Sequence, residues 1–189
     1  MPLPYRGRLA PTPTGLLHLG HAATFAHAAM RARHHGGTLV LRIEDLDPTR
    51  CRPEYAYAAM EDLRWLGLAW QEGPDIGGPF GPYFQSLRRQ HFLDIWARLR
   101  NGAFIYPCQH SRRDVALATS ASHGDDHETL FPPEWRPPAG TGRNVPSPHG
   151  TNWRFRVPDG ESIAFTDGRL GTQVFTAGKD FGDFVVWRR

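Results

Sequence analysis

Tyr5-Arg6-Gly7-Arg8-Leu9-Ala10-Pro11-Thr12-Pro13-Thr14-Gly15-Leu16-Leu17-His18-Leu19-Gly20-His21 is the stretch on which the fold turns. Tyr5 to Ala10 reads as a short strand, and the two prolines and Gly15 after it form a loop with a fixed backbone. From about His18 to His35 the chain is alanine-rich and free of breakers until Gly36-Gly37, the pattern of a helix with a glycine stop. Thr38-Leu39-Val40-Leu41-Arg42-Ile43 then reads as a largely buried strand that runs into the acidic Glu44-Asp45-Leu46-Asp47. Strand, helix and strand within about forty residues make a βαβ unit, which predicts a parallel sheet.

Outward from this unit, a second helix is expected from about Pro53 to Leu66, with Tyr57, Met60, Leu63 and Leu66 along one side and Gly67 as its stop. Gly73 to Pro82 is a glycine- and proline-rich loop, and Ser86 is a candidate cap for a third helix that reaches Arg100 and stops at Asn101-Gly102. Beyond Phe104-Ile105-Tyr106 the texture changes. Residues 119–150 are rich in Pro, Gly, Ser, Thr and His, the composition of loop. Trp153 to Val157 alternates apolar and basic like a half-buried strand, and Ser162–Thr166, Gln173–Thr176 and Phe184–Trp187 read as further short strands. The expected class is α/β with a β-rich appendage: 1–103, then 104–180, then a strand at 181–189 that returns to the first domain.

Composition narrows the function classes. A chain of 189 residues can bury a real core. No apolar run approaches the roughly 18–20 residues of a membrane helix, and Met1-Pro2-Leu3-Pro4-Tyr5-Arg6 lacks the build of a secretory signal. Two cysteines, Cys51 and Cys108, make no disulfide framework, so a cytoplasmic protein is expected. The net charge of +3 comes almost wholly from arginine, with Lys179 the one lysine. So small an excess does not by itself define a nucleic-acid binder.

Two constellations carry chemistry. His18, Gly20 and His21 stand where a helix begins after a parallel strand, a place that presents free N–H groups and a positive dipole end to phosphate. The imidazoles share a face, and Gly20 leaves room where a flat base could rest. The competing reading, two ordinary histidines at a helix end, loses ground to the strand–loop–helix placement. Arg8 and Glu44 sit at the ends of the two strands, facing the crevice in which open α/β sheets bind ligands. They could take the carboxylate and amino groups of a small zwitterion, with Thr12 adding a hydroxyl. An Arg8–Glu44 ion pair that only holds the sheet edge is an equal alternative.

With Arg42 to Arg50 (Arg-Ile-Glu-Asp-Leu-Asp-Pro-Thr-Arg) and Gly81-Pro82-Tyr83-Phe84-Gln85-Ser86 added, the chain resembles the glutamate branch of class I aminoacyl-tRNA synthetases. Tyr106-Pro107-Cys108-Gln109-His110-Ser111-Arg112-Arg113-Asp114 and Gly182 to Arg189 resemble, within that branch, the glutamyl-Q tRNA(Asp) synthetases, short paralogues without an anticodon-binding domain. The resemblance implies a Rossmann-like nucleotide-binding sheet, of which this chain holds the first half, with a connective insert. It implies that Arg8, Thr12, Glu44 and the backbone of Leu9, Ala10 and Pro11 bind glutamate, and that His18, Gly20 and His21 bind ATP, with His18 and His21 catalytic. The implied reaction joins glutamate and ATP, with Mg²⁺, into glutamyl-adenylate and passes the glutamyl group to queuosine in the anticodon of tRNA(Asp). Alternatives kept open are an N-terminal piece of a glutamyl-tRNA synthetase and a paralogue that binds nucleotide or tRNA without catalysis.

The sequence departs from the family in two places. Cys108 and His110 could supply half of the family's zinc site, but the other half falls on Phe131 and Trp135, and His123, Asp125, Asp126 and His127 have no trusted spacing, so zinc is not expected. Lys179 lies in surroundings unlike the family's KMSKS loop. A longer gene, a second polypeptide that supplies the missing half, or a non-catalytic paralogue would each account for this. For tRNA, Arg112, Arg113, Arg154 and Arg156 are candidate phosphate contacts, and Tyr106, Trp153 or Phe155 candidate stacking rings.

Overall fold

The computed structural model describes residues 4–120 and 130–188, which form two compact units, Met1–Gln90 and His91–Arg189. In the first, β1 (Arg6–Leu9) lies parallel to β2 (Thr38–Leu41), with Arg6 opposite Thr38 and Leu9 opposite Leu41. Helix α1 (Leu19–His34) makes the crossover and ends where Gly36 takes φ +56, the left-handed stop that the glycine pair predicts. The expected βαβ unit and its parallel pairing are therefore present.

Close approach decides the turn into β2. A Cβ on Gly37 would fall against the Tyr5 carbonyl oxygen, which accepts from Thr38 N at 3.0 Å to start the parallel pairing. Gly37→Ala is expected to cost about 1–3 kcal/mol, read as a lowered urea midpoint; an unchanged midpoint would show that the turn relaxes freely.

Helix α2 (Pro53–Trp65) forms where expected but buries a different side. Ala56, Ala59, Met60 and Leu63 face the core, whereas Tyr57 and Leu66 are exposed. Steps of three fall behind the 3.6-residue turn, so a run of them drifts off the buried face; the i, i+3, i+4, i+7 set stays on it. Beyond α2, two extended segments add to the outer edge of β2: Leu41 N donates to Glu72 O (2.8 Å), and Ile43 N donates to Tyr83 O (2.9 Å). Leu9, Leu39, Leu41 and Ile43 of the sheet pack on Phe25 and Ala32 of α1 and on Met60 and Leu63 of α2.

The second unit is a three-stranded antiparallel sheet, β3 (Ile105–Cys108), β4 (Asn152–Phe155) and β7 (Phe184–Trp187), in the order β3-β4-β7. Helix α3 (Arg89–Asn101) sets Trp96 edge-on against Trp153 at 5.0 Å on one face. Tyr106, Cys108, Val115 and Phe131 fill the other. Helix α4 (Arg112–Ser120) supplies Val115, and the hairpin β5 (Ser162–Asp167) with β6 (Gly171–Thr176) completes the unit. The division thus falls at Gln90 rather than at residue 103, and the strand at 184–187 pairs within the second unit instead of returning to the first. Of the expected loop, residues 130–150 hold only a 3-10 turn, Pro133–Trp135, while 121–129, with His123, Asp125, Asp126 and His127, lie outside the described residues.

Two expectations change in detail. Ser86 does not cap α3; it lies in a 3-10 turn (Gln85–Arg88), where its N and Oγ donate to Asp45 at 2.9 and 2.5 Å. Arg154 is not on a solvated side of β4: it is buried, with its guanidinium 4.2 Å from the Phe131 ring centroid and donating to Asp183 O at 3.1 Å.

Candidate active site

The alternation of β1 puts Gly7 and Leu9 in the core and Arg6 and Arg8 on the opposite face. On β2 the same period places Val40 beside them, since Arg8 stands opposite Val40, and the alternation of burial runs on past the strand end to Arg42 and Glu44. This face opens into a crevice of about 770 Å³ whose lining includes Arg6, Arg8, Val40, Arg42, Tyr83 and Arg88. Arg8 is thus exposed to the crevice, as a ligand-binding cation must be.

Glu44 is not paired with Arg8. Its Oε1 accepts from Arg42 Nε at 2.7 Å and lies 2.7 Å from Arg42 Nη2, and its own N–H donates to Pro11 O at 3.0 Å. The edge-holding Arg8–Glu44 ion pair is therefore absent, and Arg42 is the residue that sequence reasoning missed. The signal was there, because residues two apart on a strand share a face. Asp45 was missed too; its grip on Ser86 and the bond from Gln85 N to Ile43 O (3.0 Å) fix the backbone on both sides of Glu44.

The proline loop is stitched into the sheet end. Leu9 O and Pro11 O accept from Arg42 N and Glu44 N, and Pro13 O accepts from Arg52 N, all at 2.9–3.0 Å. Leu9 and Pro11 are buried, Ala10 is half-buried, and Thr12 is exposed. The backbone of Leu9 to Pro11 thus acts as a rigid frame between Arg8 and Glu44.

His18 is the N-cap of α1, with extended φ −123° and ψ 172°. Gly20 N donates to His18 Nδ1 (3.1 Å), His18 N donates to His21 Nδ1 (3.2 Å), and the two rings lie 3.8 Å apart. The space over Gly20 is filled by the His18 ring: a Cβ there would meet Cε1 at 3.0 Å and Nδ1 at 3.1 Å. The lining of the 770 Å³ crevice includes Arg8 but not His18, Gly20 or His21, which stand at the exposed start of α1.

The zinc half-site does not fit a metal. Cys108 Sγ is buried and donates to His110 O at 3.9 Å, and the His110 ring stacks on Trp135 at 4.0 Å. Phe131 and Trp135, in the other two places, offer only carbon rings. Among the described residues no group of three or more His, Cys, Asp or Glu is arranged to hold a metal ion. The candidate tRNA contacts also thin out: Tyr106 and Trp153 are buried, Arg156 donates to Pro137 O while lying over Tyr106, and Arg113 stays exposed. The side chain of Arg112 lies outside the described residues.

Sequence families and solved structures agree with this architecture. Residues 5–123 match the catalytic domain of the class I tRNA synthetases (E and Q), and the chain belongs to that family. It is 48% identical to the glutamyl-Q tRNA(Asp) synthetase of Symbiobacterium thermophilum over 96% of this chain and 57% of that one. It is 40% identical to glutamate–tRNA ligase 1 of Halorhodospira halophila over 96% of this chain and 38% of that one. The crystal structure of the glutamate–tRNA synthetase from Elizabethkingia anophelis superposes with a TM-score of 0.70 at 28% identity, covering 92% of this chain and 37% of that one. The parallel sheet is therefore the Rossmann-like one that the resemblance implies. The chain spans 57% of the length of its glutamyl-Q relative. Among the described residues no helix is long and apolar enough to cross a membrane.

Proposed function

We propose that this chain activates glutamate with ATP and passes the glutamyl group to queuosine of tRNA(Asp), in the cytoplasm. The observation that supports the reading is Arg8 on the open face of β1, with Glu44 just past β2 bonded to the loop that follows β1 (Glu44 N to Pro11 O, 3.0 Å) and His18, Gly20 and His21 at the helix start after that loop. The 48% identity to a glutamyl-Q tRNA(Asp) synthetase over nearly the whole chain supports this acceptor over the 3′ end of tRNA(Glu).

In this reading the Arg8 guanidinium holds a carboxylate of glutamate, and Glu44 receives its ammonium on Oε2, because Oε1 is taken by Arg42. The Thr12 hydroxyl adds a polar contact. The start of α1, with His18, Gly20 and His21, receives the phosphates of ATP. A carboxylate oxygen of glutamate attacks the α-phosphorus, the bond to the bridging oxygen breaks, and pyrophosphate leaves with its charge held by N–H donors. A hydroxyl of the queuosine cyclopentene ring then attacks the acyl carbon, and AMP leaves. Mg²⁺ is expected to travel with ATP.

The test is incorporation of labelled glutamate, with ATP, into tRNA(Asp) with and without queuosine. Label in the queuosine-containing tRNA alone supports the proposal. Label on tRNA(Glu) would favour a glutamate–tRNA ligase, and ATP binding without glutamate-dependent pyrophosphate exchange would favour a non-catalytic paralogue. Arg8→Ala is expected to raise KM for glutamate roughly tenfold to a hundredfold, the worth of a hydrogen bond to a charged group, with KM for ATP little changed. An equal rise in both would remove Arg8 from the amino-acid site.

A further inference from the structure

We propose that α1 locks His18 and His21 in a single tautomer: Nδ1 of each ring is used to start the helix, and Nε2–H is left as the outward donor. The observations are three. Gly20 N donates to His18 Nδ1, and His18 N donates to His21 Nδ1, so each Nδ1 must carry a lone pair. A neutral imidazole has one N–H, which then sits on Nε2. The rings are 3.8 Å apart, and His21 is backed by Phe25 at 6.0 Å with an interplanar angle of 17°, which limits rotation that would swap the two nitrogens.

Gly20 is part of the lock. A Cβ at that position would meet Cε1 and Nδ1 of His18 at 3.0 and 3.1 Å, so the ring would have to shift against the amide that it caps. The sequence His-x-Gly-His thus has a reason in local geometry. Each histidine satisfies one backbone N–H at a helix start that otherwise leaves four without intrahelical partners. What remains is a pair of Nε2–H donors at the positive end of the helix dipole, fixed before any anion arrives. That these donors serve a nucleotide phosphate rests on the glutamate-activation reading; the tautomer itself does not.

The experiment uses the ¹⁵N-labelled chain at about pH 8, above the usual imidazole range. Long-range ¹H–¹⁵N correlations should show His18 and His21 fully as Nε2–H, with exposed His27 averaging between tautomers. Asn places an oxygen where Nδ1 sits and nothing at Nε2; Gln does the reverse. His18→Asn and His21→Asn should therefore keep exchange protection of the capped amide, Gly20 N–H or His18 N–H respectively. The Gln and Ala variants should lose it about fivefold, the worth of an N-cap. ATP affinity, followed by titration, should fall in the Asn variants despite the intact cap. Averaged or Nδ1–H tautomers, or Asn variants as unprotected as Ala, would overturn the lock. A fixed tautomer and the Asn/Gln split in a chain that binds no ATP would leave the lock standing and remove the nucleotide reading.

Discussion

Asp183→Ala is expected to destabilise the second unit by about 3–5 kcal/mol, the cost of removing one partner from a buried ion pair. The Asp183 side chain is fully buried and accepts four hydrogen bonds: from Tyr106 OH at 2.5 Å, Arg136 Nε at 2.8 Å, Arg136 Nη2 at 2.7 Å and Val157 N at 2.9 Å. Removing the carboxylate strands a phenol and a backbone N–H, and leaves the Arg136 guanidinium, nine-tenths buried, with Asp159 as its one remaining ion-pair partner among the described residues. Urea unfolding followed by the fluorescence of Trp96 and Trp153 reads the loss. A change below about 1 kcal/mol, the worth of one ordinary hydrogen bond, would show that water replaces the carboxylate and that the network is dispensable.

The same network sets an alkaline limit. Burial first, and then the hydrogen bond to Asp183 and its charge, push the Tyr106 phenol far above its ordinary range. A group whose folded pKa is raised contributes stability that is complete below its unfolded pKa, near 10, and declines as pH rises beyond it. Tyr106→Phe should therefore lower stability at neutral pH and flatten its fall above about pH 10.

The sequence made the local units of this fold legible, and left the pairings between distant residues hidden. The βαβ start follows from breakers and buried runs, and β7 forms over Phe184–Trp187 as expected. The α4 helix had a signal that went unread: Ser111-Arg112-Arg113-Asp114 is a capping box, with Ser111 N donating to Asp114 Oδ2 at 2.6 Å and Asp114 N donating to Ser111 Oγ at 3.2 Å. No such local sign marks Arg154 or Asp183, whose hydrogen-bond partners lie 26 to 77 residues away in the chain. At the candidate site, the strand ends expected to present Arg8 and Glu44 are present, but the crevice is lined by Arg8 and Arg42 and not by Glu44. Arg42 competes for that carboxylate from two residues away, while Arg8 comes from the neighbouring strand.

Glu72→Ala should loosen the floor of the crevice and remove acid-dependent stability from the first unit. Glu72 is buried at the outer edge of β2, where its carboxylate takes both Arg6 Nη1 and Arg6 Nη2 at 2.7 Å and Tyr83 OH at 2.7 Å. Arg6 also lies 4.7 Å from the centroid of the Phe80 ring, so one carboxylate holds β1, the Gly73–Pro82 loop and Tyr83 together. The bidentate hydrogen bond from Arg6 is the main cause that holds the Glu72 carboxyl below its ordinary range, against the opposing effect of burial. The sign follows. Stability from this depressed pKa is present above the unfolded value near 4.3, and is lost as pH falls through the folded value. At neutral pH the alanine variant should melt several degrees lower, and its melting temperature should fall less than that of the wild type as pH drops from about 5 toward 2. Arg6 would be left without its carboxylate two residues from Arg8, on the same face, so under the proposed function glutamate affinity should change together with stability. Glu72→Gln, which keeps the volume and loses the charge, separates the two effects: retained affinity with flattened acid dependence assigns Glu72 to the fold alone. Parallel melting curves for wild type and both variants between about pH 5 and 2 would show that the Arg6–Glu72 pair adds nothing to stability.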